Sequence, residues 1–569
     1  MYAQLYKKWL ENTKNETQLH NDLLSMESND ELIADSFYRE LDFGTAGLRG
    51  ILGAGTNRMN IYTVGKATQA LADYVLSVSK NPCVAIAYDS RINSTLFAET
   101  AAAILAENGV TVYIYKELMP TPMLSFAVRE LKCDAGIVIT ASHNPAEYNG
   151  YKVYGPDGCQ LSPEAAENIM NMMQKLDCFK DVKFSDFNAN LKLGKINYIG
   201  SDLIESYLNE VQNQSVNAKK LDMSNFRVIY TPLHGTGNKP VRAILDRIGV
   251  KNVKVVKQQE LPDGNFPTAP YPNPEIKQTF ELALQVTKTY DADILLATDP
   301  DADRVGIAVK TGSEYKLMTG NDVGALLLNY ILECKTQNGT LPKNPIAVKT
   351  IVTTELCQKI ADKFGCELIN VLTGFKFIGE QIANLEEKNE QNRFILGFEE
   401  SYGYLAGSYV RDKDAVVASM LICEMAAYYK QQGLTLVDKL DELFKEHGYY
   451  INTQKSFSFA GQSGMKKMTE IMSSLRENPP KSFVGSNVVT VEDYLISKRY
   501  ELFSNRETKI SLPKSNVITF ILENGTKVMF RPSGTEPKIK LYIGAIDTSY
   551  ASAQNIIDLI INEAENIMK

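Results

Sequence analysis

Residues 135–145 read Ala-Gly-Ile-Val-Ile-Thr-Ala-Ser-His-Asn-Pro. Ala135 to Ile139 is continuously apolar rather than alternating, the pattern of a strand buried on both faces of a parallel sheet. Ser142 then falls just past the strand's carboxyl end, at the edge where open α/β sheets bind ligands, and Pro145 opposes continuation into a helix. The hexapeptide Thr140 to Pro145 has two readings: a polar turn in which Ser142 caps the next element, or a nucleophile placed for chemistry.

The passage from apolar run to polar loop recurs along the chain. Val84-Ala85-Ile86-Ala87-Tyr88 leads into Asp89-Ser90-Arg91, and Ile294-Leu295-Leu296-Ala297 leads towards Asp299-Pro300-Asp301-Ala302-Asp303-Arg304. Phe394-Ile395-Leu396-Gly397 leads towards Glu399-Glu400-Ser401. Between such runs, Ala67, Ala70, Leu71, Tyr74 and Val75 fall on one helical face, and Phe280, Leu282, Ala283 and Val286 form a looser version. Alternation of this kind predicts several similar α/β domains with largely parallel sheets. The C-terminal region differs. Val517 to Leu522 and Val528 to Phe530 flank Asn524-Gly525, a strong hairpin signal, and a helix is expected over Ala551 to Met568. A smaller α+β domain is expected to begin near Glu446-His447-Gly448, with softer boundaries at 194–201, 310–320 and 335–345.

At 569 residues the chain is too long for one core and suggests roughly three to five domains. With 44% hydrophobic and 22% charged residues it is globular in composition, and a net charge of −8 argues against a nucleic-acid partner. No stretch approaches the ~20 apolar residues of a membrane span, and the polar start Met1 to Glu16 lacks a signal-peptide core, so a cytoplasmic location is expected. The eight cysteines are scattered without a Cys-x-x-Cys pair and only four histidines are present. Structural zinc and a disulfide framework are therefore not expected.

Asp299, Asp301 and Asp303 alternate. In an extended loop such side chains face one side, offering up to three carboxylate oxygens to a hard cation such as Mg²⁺; the other reading is a solvated acidic loop. An EF-hand is excluded by Arg304 and Lys310 at its glycine and glutamate positions. Asp301-Ala302-Asp303-Arg304-Val305 also resembles the nucleophilic-aspartate motif of haloacid dehalogenase-type phosphatases, which would leave Ser142 without a role. Further on, Arg531-Pro532-Ser533-Gly534-Thr535-Glu536-Pro537-Lys538 combines a guanidinium fork, two hydroxyls and a glycine that admits close approach, either a phosphate cradle or an ordinary turn. Phe43 to Gly50 could hold Arg49 over an anion, and Thr373-Gly374-Phe375-Lys376 could contact a sugar.

Together these segments resemble the α-D-phosphohexomutase superfamily, in its phosphoglucomutase and phosphomannomutase branch. The likeness covers nearly the whole chain in order: the Gly-Thr-Ala-Gly-Leu-Arg opening, the Thr-Ala-Ser-His-Asn-Pro loop, the Asp-Pro-Asp-Ala-Asp-Arg loop, the Gly-Phe-Glu-Glu-Ser-Tyr-Gly loop and the Arg-Pro-Ser-Gly-Thr-Glu-Pro-Lys loop. The resemblance implies three related α/β domains with mixed, largely parallel sheets and a C-terminal α+β domain around a central cleft. The expected spans are 1–200 with a phosphoserine loop, 201–315 with a metal loop, 316–445 with a sugar loop and 446–569 with a phosphate loop.

The mechanism implied begins with phosphorylated Ser142 and one Mg²⁺ per chain on Asp299, Asp301, Asp303 and the Ser142 phosphoryl group. That group passes to a sugar monophosphate, the bisphosphate turns over, and its other phosphate returns to Ser142. Lys152 and His143 are implied as general base and acid, with Arg49 and Arg304 supporting the phosphoryl group. Arg531, Ser533, Gly534, Thr535 and Lys538 would hold the phosphate that is not reacting. Thr373, Gly374, Lys376, Glu399 and Ser401 would contact the sugar. Glu399 and Ser401 favour glucose 1-phosphate and glucose 6-phosphate, with glucose 1,6-bisphosphate as intermediate and activator. Mannose and pentose phosphates are the alternatives, the chain's length and N-terminal region also resembling the phosphopentomutase and glucose 1,6-bisphosphate synthase branch. Thr231 to Gly237 matches a family segment read as scaffold, with His234 outside the catalytic set. A monomer or weak homodimer is expected, with a small sugar phosphate as its only implied partner.

Overall fold

The apolar run Ala135–Ile139 is a strand whose five residues are all buried, as its unbroken pattern requires. It lies in a computed structural model that describes residues 2–44, 47–459, 461–533 and 538–569, with the backbone alone at 461–463. Two units are distinguished: Met1–Met318 with Ile378–Phe394 and Tyr402–Tyr428, and Thr319–Phe377 with Ile395–Ser401 and Tyr429–Lys569.

In the first unit, six strands form one sheet: β1 (Gly47–Ile51), β2 (Cys83–Tyr88), β3 (Thr111–Ile114), β4 (Ala135–Ile139), β5 (Tyr148–Tyr154) and β6 (Ile196–Tyr198). Their spatial order is β1-β5-β4-β2-β3-β6. β2 is parallel to β3 and β4, and β3 to β6, whereas β5 runs antiparallel to both β4 and β1. The helix Ile61–Val78 starts at an Asn60–Thr63 capping box and buries Ala67, Ala70, Leu71 and Val75 against this sheet, the face its spacing predicted.

A second sheet comprises β7 (Arg227–Thr231), β8 (Asn252–Val255), β9 (Ile294–Thr298), β10 (Val305–Thr311) and β11 (Glu314–Met318), in the order β11-β10-β9-β7-β8. β7, β8 and β9 are parallel, and β10 and β11 return antiparallel. The looser periodicity near Phe280 corresponds to a 3-10 turn at Lys277–Phe280 and a six-residue helix, Glu281–Val286.

Three N-terminal helices, Tyr2–Asn12, Thr17–Met26 and Asp30–Phe37, form their own small core with the first domain. Trp9 meets Phe37, Tyr62 and Phe179 edge-on at 5.4–5.7 Å between ring centroids. Aromatic edge contacts of this kind add to simple area burial.

In the second unit, Ile346–Thr350 pairs parallel with Glu367–Val371 and neighbours Phe394–Glu399. The C-terminal sheet is antiparallel. Ile518–Leu522 and Lys527–Pro532 form the expected hairpin around Asn524-Gly525, with Gly525 at φ +86°, and the expected last helix spans Tyr550–Ile567. No helix among the described residues is long and apolar enough to cross a membrane.

Candidate active site

The serine loop joins two antiparallel neighbours, β4 and β5, so the chain turns back on itself. Val138 pairs with Lys152, and the ten-residue separation of Ser142 and Lys152 therefore closes into contact. Lys152 Nζ donates to Ser142 Oγ at 2.8 Å. Ser142 is buried and holds φ +50°, a left-handed conformation that non-glycine residues adopt where surrounding structure imposes it. Its amide donates to Thr140 Oγ1 at 2.8 Å.

The tie that shapes this loop comes from a different strand. Arg91, just past β2, is buried and donates to the backbone oxygens of Ser142, Asn144, Pro145 and Tyr148, the last two at 2.8 and 3.0 Å. Asp89 partners it at 3.4 Å, with both side chains wholly buried, and the Phe266 ring lies 5.0 Å beneath its guanidinium. Five donors in a rigid fork suit a cluster of carbonyls better than a lysine would.

The acidic loop between β9 and β10 is not extended, contrary to expectation. It is a tight turn in which Ala302 takes φ +48° and its amide bonds back to Asp299 O at 3.0 Å. Asp299 Oδ1 accepts from the amides of Asp303 and Arg304 at 3.1 and 3.0 Å. The three carboxylates converge because the backbone turns beneath them, not because alternate residues of a strand share a face. Below the turn, Thr236 N donates to Pro300 O at 2.8 Å, and a Cβ on Gly235 would lie 2.5 Å from Pro300 Cα. The segment Thr231 to Gly237 thus supports the loop, and both ring nitrogens of His234 are engaged, by Leu261 O and Thr268 Oγ1.

Asp299, Asp301 and Asp303 are all buried, and one ligand oxygen from each lies within 4.8 Å of the others. Asp299 Oδ2, Asp301 Oδ1 and Asp303 Oδ1 are buried without hydrogen-bond partners. Three bare carboxylate oxygens out of water are costly unless a cation meets them, and an all-oxygen set fits Mg²⁺. Burial and the neighbouring Asp303 and Asp301 charges push the Asp299 carboxyl well above its ordinary range. Burial alone would also raise Asp301, but the ammonium of Lys152, assisted by Lys413, holds it well below. Ser142 Oγ donates to Asp301 Oδ2 at 3.0 Å, so the serine loop and the acidic loop adjoin directly.

The comparisons with known proteins agree with this geometry. Three models of the phosphoglucomutase/phosphomannomutase family match: α/β/α domain I over residues 40–178, domain II over 205–312 and domain III over 319–447. The chain belongs to the phosphoglucomutase/phosphomannomutase family. A phosphoglucomutase of Staphylococcus saprophyticus is 38% identical over 535 residues, covering 94% of this chain and 95% of that protein. One from Staphylococcus aureus is 40% identical over 512 residues, 90% of each chain. In fold, the crystal structure of the Paramecium phosphoprotein parafusin, a phosphoglucomutase in open form, aligns with a TM-score of 0.69 at 18% identity, over 93% of this chain and 96% of that one. The matched architecture is the expected one of the α-D-phosphohexomutase superfamily: three α/β/α domains and a β-rich C-terminal region.

Other residues expected to act in this family's chemistry lie as follows. Burial, then the Arg304 and Arg49 charges, holds the His143 ring well below its ordinary pKa, and its Nδ1 is buried without a hydrogen-bond partner. Arg49, on β1, reaches Asn144 Oδ1 at 3.4 Å. Arg304 is paired with Glu275 at 2.8 Å. In the second unit Glu399 ends its strand buried, Ser401 follows in the next turn, and Glu400 accepts from Thr350 Oγ1 at 3.0 Å. Thr373 and Gly374 follow the strand Glu367–Val371, and Lys376 opens a helix with its ammonium 5.0 Å from the Phe377 ring. Arg531 lies near the end of its strand, and Ser533 N donates to Lys538 O at 2.7 Å. Gly534 and Thr535 lie outside the described residues.

Three residues of the centre were passed over in the sequence. Arg91 stood in a quoted segment, Asp89-Ser90-Arg91, whose twin is the serine loop on the parallel neighbour. Lys413, 3.0 Å from Asp303 Oδ2, belongs to the buried run Arg411-Asp412-Lys413-Asp414, four charges between apolar neighbours, and that density was the available signal. Thr121, which donates to Asp301 Oδ2 at 2.9 Å, carried none.

Proposed function

We propose that this protein is a phosphoglucomutase that interconverts glucose 1-phosphate and glucose 6-phosphate through phosphorylated Ser142 and glucose 1,6-bisphosphate. The observation that carries the reading is the contact of Ser142 Oγ with both Lys152 and Asp301, beside three carboxylate oxygens left bare in the interior. The Staphylococcus relatives, phosphoglucomutases of nearly the same length, support the choice of sugar.

Asp299, Asp301 and Asp303 would hold one Mg²⁺. The ion, when bound, offsets charge on the transferring phosphoryl oxygens, the main requirement of this reaction. Proton traffic falls to the chain. When the phosphoryl group leaves Ser142 for a sugar hydroxyl, Ser142 Oγ must gain a proton and the hydroxyl must lose one. Lys152, already donating to Ser142 Oγ, delivers the first and, as a neutral amine, takes the second; the return transfer reverses both moves. The His143 ring, next to Ser142 and pushed by burial towards its neutral form, remains the proposed acid partner through its ring N–H. Arg91 keeps the serine loop in place while its oxygen alternates between ester and alcohol. Arg49 and Arg304 supply cationic support near the phosphoryl group. In the second unit, Thr373, Gly374, Lys376, Glu399 and Ser401 bind the sugar, and Arg531, Ser533, Gly534, Thr535 and Lys538 hold the phosphate not being transferred.

An aspartyl-phosphate mechanism is not favoured, because it leaves the contacts of Ser142 Oγ with Lys152 and Asp301 without a role and the Staphylococcus relatives are phosphoglucomutases. The test is a coupled assay of glucose 1-phosphate conversion to glucose 6-phosphate with Mg²⁺ and catalytic glucose 1,6-bisphosphate. Turnover is expected from the native chain and loss of it from Ser142→Ala. Turnover confined to mannose 1-phosphate or ribose 1-phosphate would overturn the choice of sugar, and an active Ser142→Ala would overturn the mechanism.

A further inference from the structure

We propose that Thr121 is a positioning residue that fixes the orientation of the Asp301 carboxylate, so that one oxygen is held by donors and the other stays turned to the cation. The inference rests on the metal reading of the acidic loop. Thr121 opens the helix Thr121–Glu130 and is wholly buried. It grips Asp301 twice: its amide donates to Asp301 O at 2.9 Å and its Oγ1 to Asp301 Oδ2 at 2.9 Å. The amide bond follows from local chemistry. The first amides of a helix have no intrahelical acceptor, so the Thr121 N–H is free to bond Asp301 O, while Pro122 beside it has no N–H to compete.

The consequence is asymmetry within one carboxylate. Oδ2 receives Thr121 Oγ1, Ser142 Oγ and Lys152 Nζ at 2.9, 3.0 and 3.1 Å, which occupies its acceptor capacity, while Oδ1 keeps no partner and belongs to the bare trio. A carboxylate free to turn about its Cβ–Cγ bond would lose this alignment of the bare oxygen with its neighbours. The threonine opposes this together with Ser142 and Lys152, and does so from a chain segment 180 residues away in sequence. Phosphorylation would remove the Ser142 hydroxyl proton and with it one of the three donors. Thr121 then becomes the sole hydroxyl still fixing Asp301, so its contribution is needed most in the phosphorylated enzyme.

The experiment titrates Mg²⁺ by calorimetry into the native chain, Thr121→Val and Thr121→Ser, and records the Mg²⁺ dependence of turnover in parallel. Thr121→Val, which keeps the shape and loses the donor, is expected to bind Mg²⁺ about 10–100-fold more weakly, in line with removal of the groups that orient metal ligands generally. Thr121→Ser is expected to restore most of the affinity, and KM for glucose 1-phosphate at saturating Mg²⁺ to stay near the native value in both. Should the valine variant not fold, Thr121→Ala takes its place with the same expectation. Native affinity in Thr121→Val, or equal weakness in Val and Ser variants, overturns the positioning role. A native chain that binds no Mg²⁺ overturns the metal reading itself.

Discussion

The two loops that meet at Ser142 are built on the same plan and held by opposite means. Each leaves the carboxyl end of a buried strand and returns on an antiparallel neighbour, β4 to β5 and β9 to β10. The acidic loop is shaped largely by its own backbone, Asp299 binding amides four and five residues ahead, with Thr121 and Thr236 added as remote braces. The serine loop depends on a guanidinium 51 residues earlier in the chain, which gathers four of its carbonyls. On the proposed reading the acidic loop would need fixed oxygens for a cation, and a turn closed mainly by its own amides would provide them. If Ser142 alternates between ester and alcohol as proposed, its loop would need a backbone that stays put while the side chain changes, and a remote rigid strut would provide that.

The largest expected effect comes from cutting the strut. Arg91→Met leaves Asp89 buried without its partner and four loop carbonyls without their donor. Loss of one member of a buried pair costs about 3–5 kcal/mol, and misplacement of a reacting group by about 1 Å costs on the order of 100-fold in rate. Urea unfolding and kcat measure the two, and a variant with native kcat would refute the dependence of the serine loop on Arg91.

Two glycines separate the loops more finely. A Cβ on Gly150 would lie 2.4 Å from Thr140 O, at the root of the serine loop, whereas one on Gly235 would meet Pro300 under the acidic turn. Each alanine variant is expected to lose about 1–3 kcal/mol by overpacking. Gly150→Ala should lower kcat and leave Mg²⁺ affinity unchanged, and Gly235→Ala should weaken Mg²⁺ binding with a smaller loss of kcat at saturating metal. Matching profiles in the two variants would contradict separate support.

Much of this division follows the reach of sequence reading. The acidic loop was legible because its ligands, amides and turn lie within six residues, although their alternation suggested an extended strand and the structure shows a turn. Lys152 was legible from its ten-residue offset once the family motif was seen. The physical basis of that offset, the antiparallel return of β5, was not. Arg91, Lys413 and Thr121 stayed hidden because their partners are set by strand order and by packing between segments over a hundred residues apart in two of the three cases. The fold was the readable part: unbroken apolar strands, helical spacing at Ala67 to Val75 and the Asn524-Gly525 hairpin all recur as expected. The N-terminal helices around Trp9 carried no comparable signal.

The smallest predicted effect is on pH. Asp299 is raised above its unfolded value, so the metal-free fold gains from the protonated form and loses that contribution as pH rises through the folded pKa. Mg²⁺ requires the ionised form. The rise in Tm on adding Mg²⁺ should therefore be larger near about pH 8 than near about pH 5.5, and a thermal-shift series measures it. A rise that is independent of pH would place the cation away from Asp299.

Phosphopeptide mapping by mass spectrometry, after incubation with glucose 1,6-bisphosphate and quenching, addresses the joint role of the two loops most directly. One phosphoryl group on Ser142 in the native chain, and none in Ser142→Ala, is the expected result. Phosphate on Asp301, or an unmodified Ser142 in an enzyme that turns over, would contradict it.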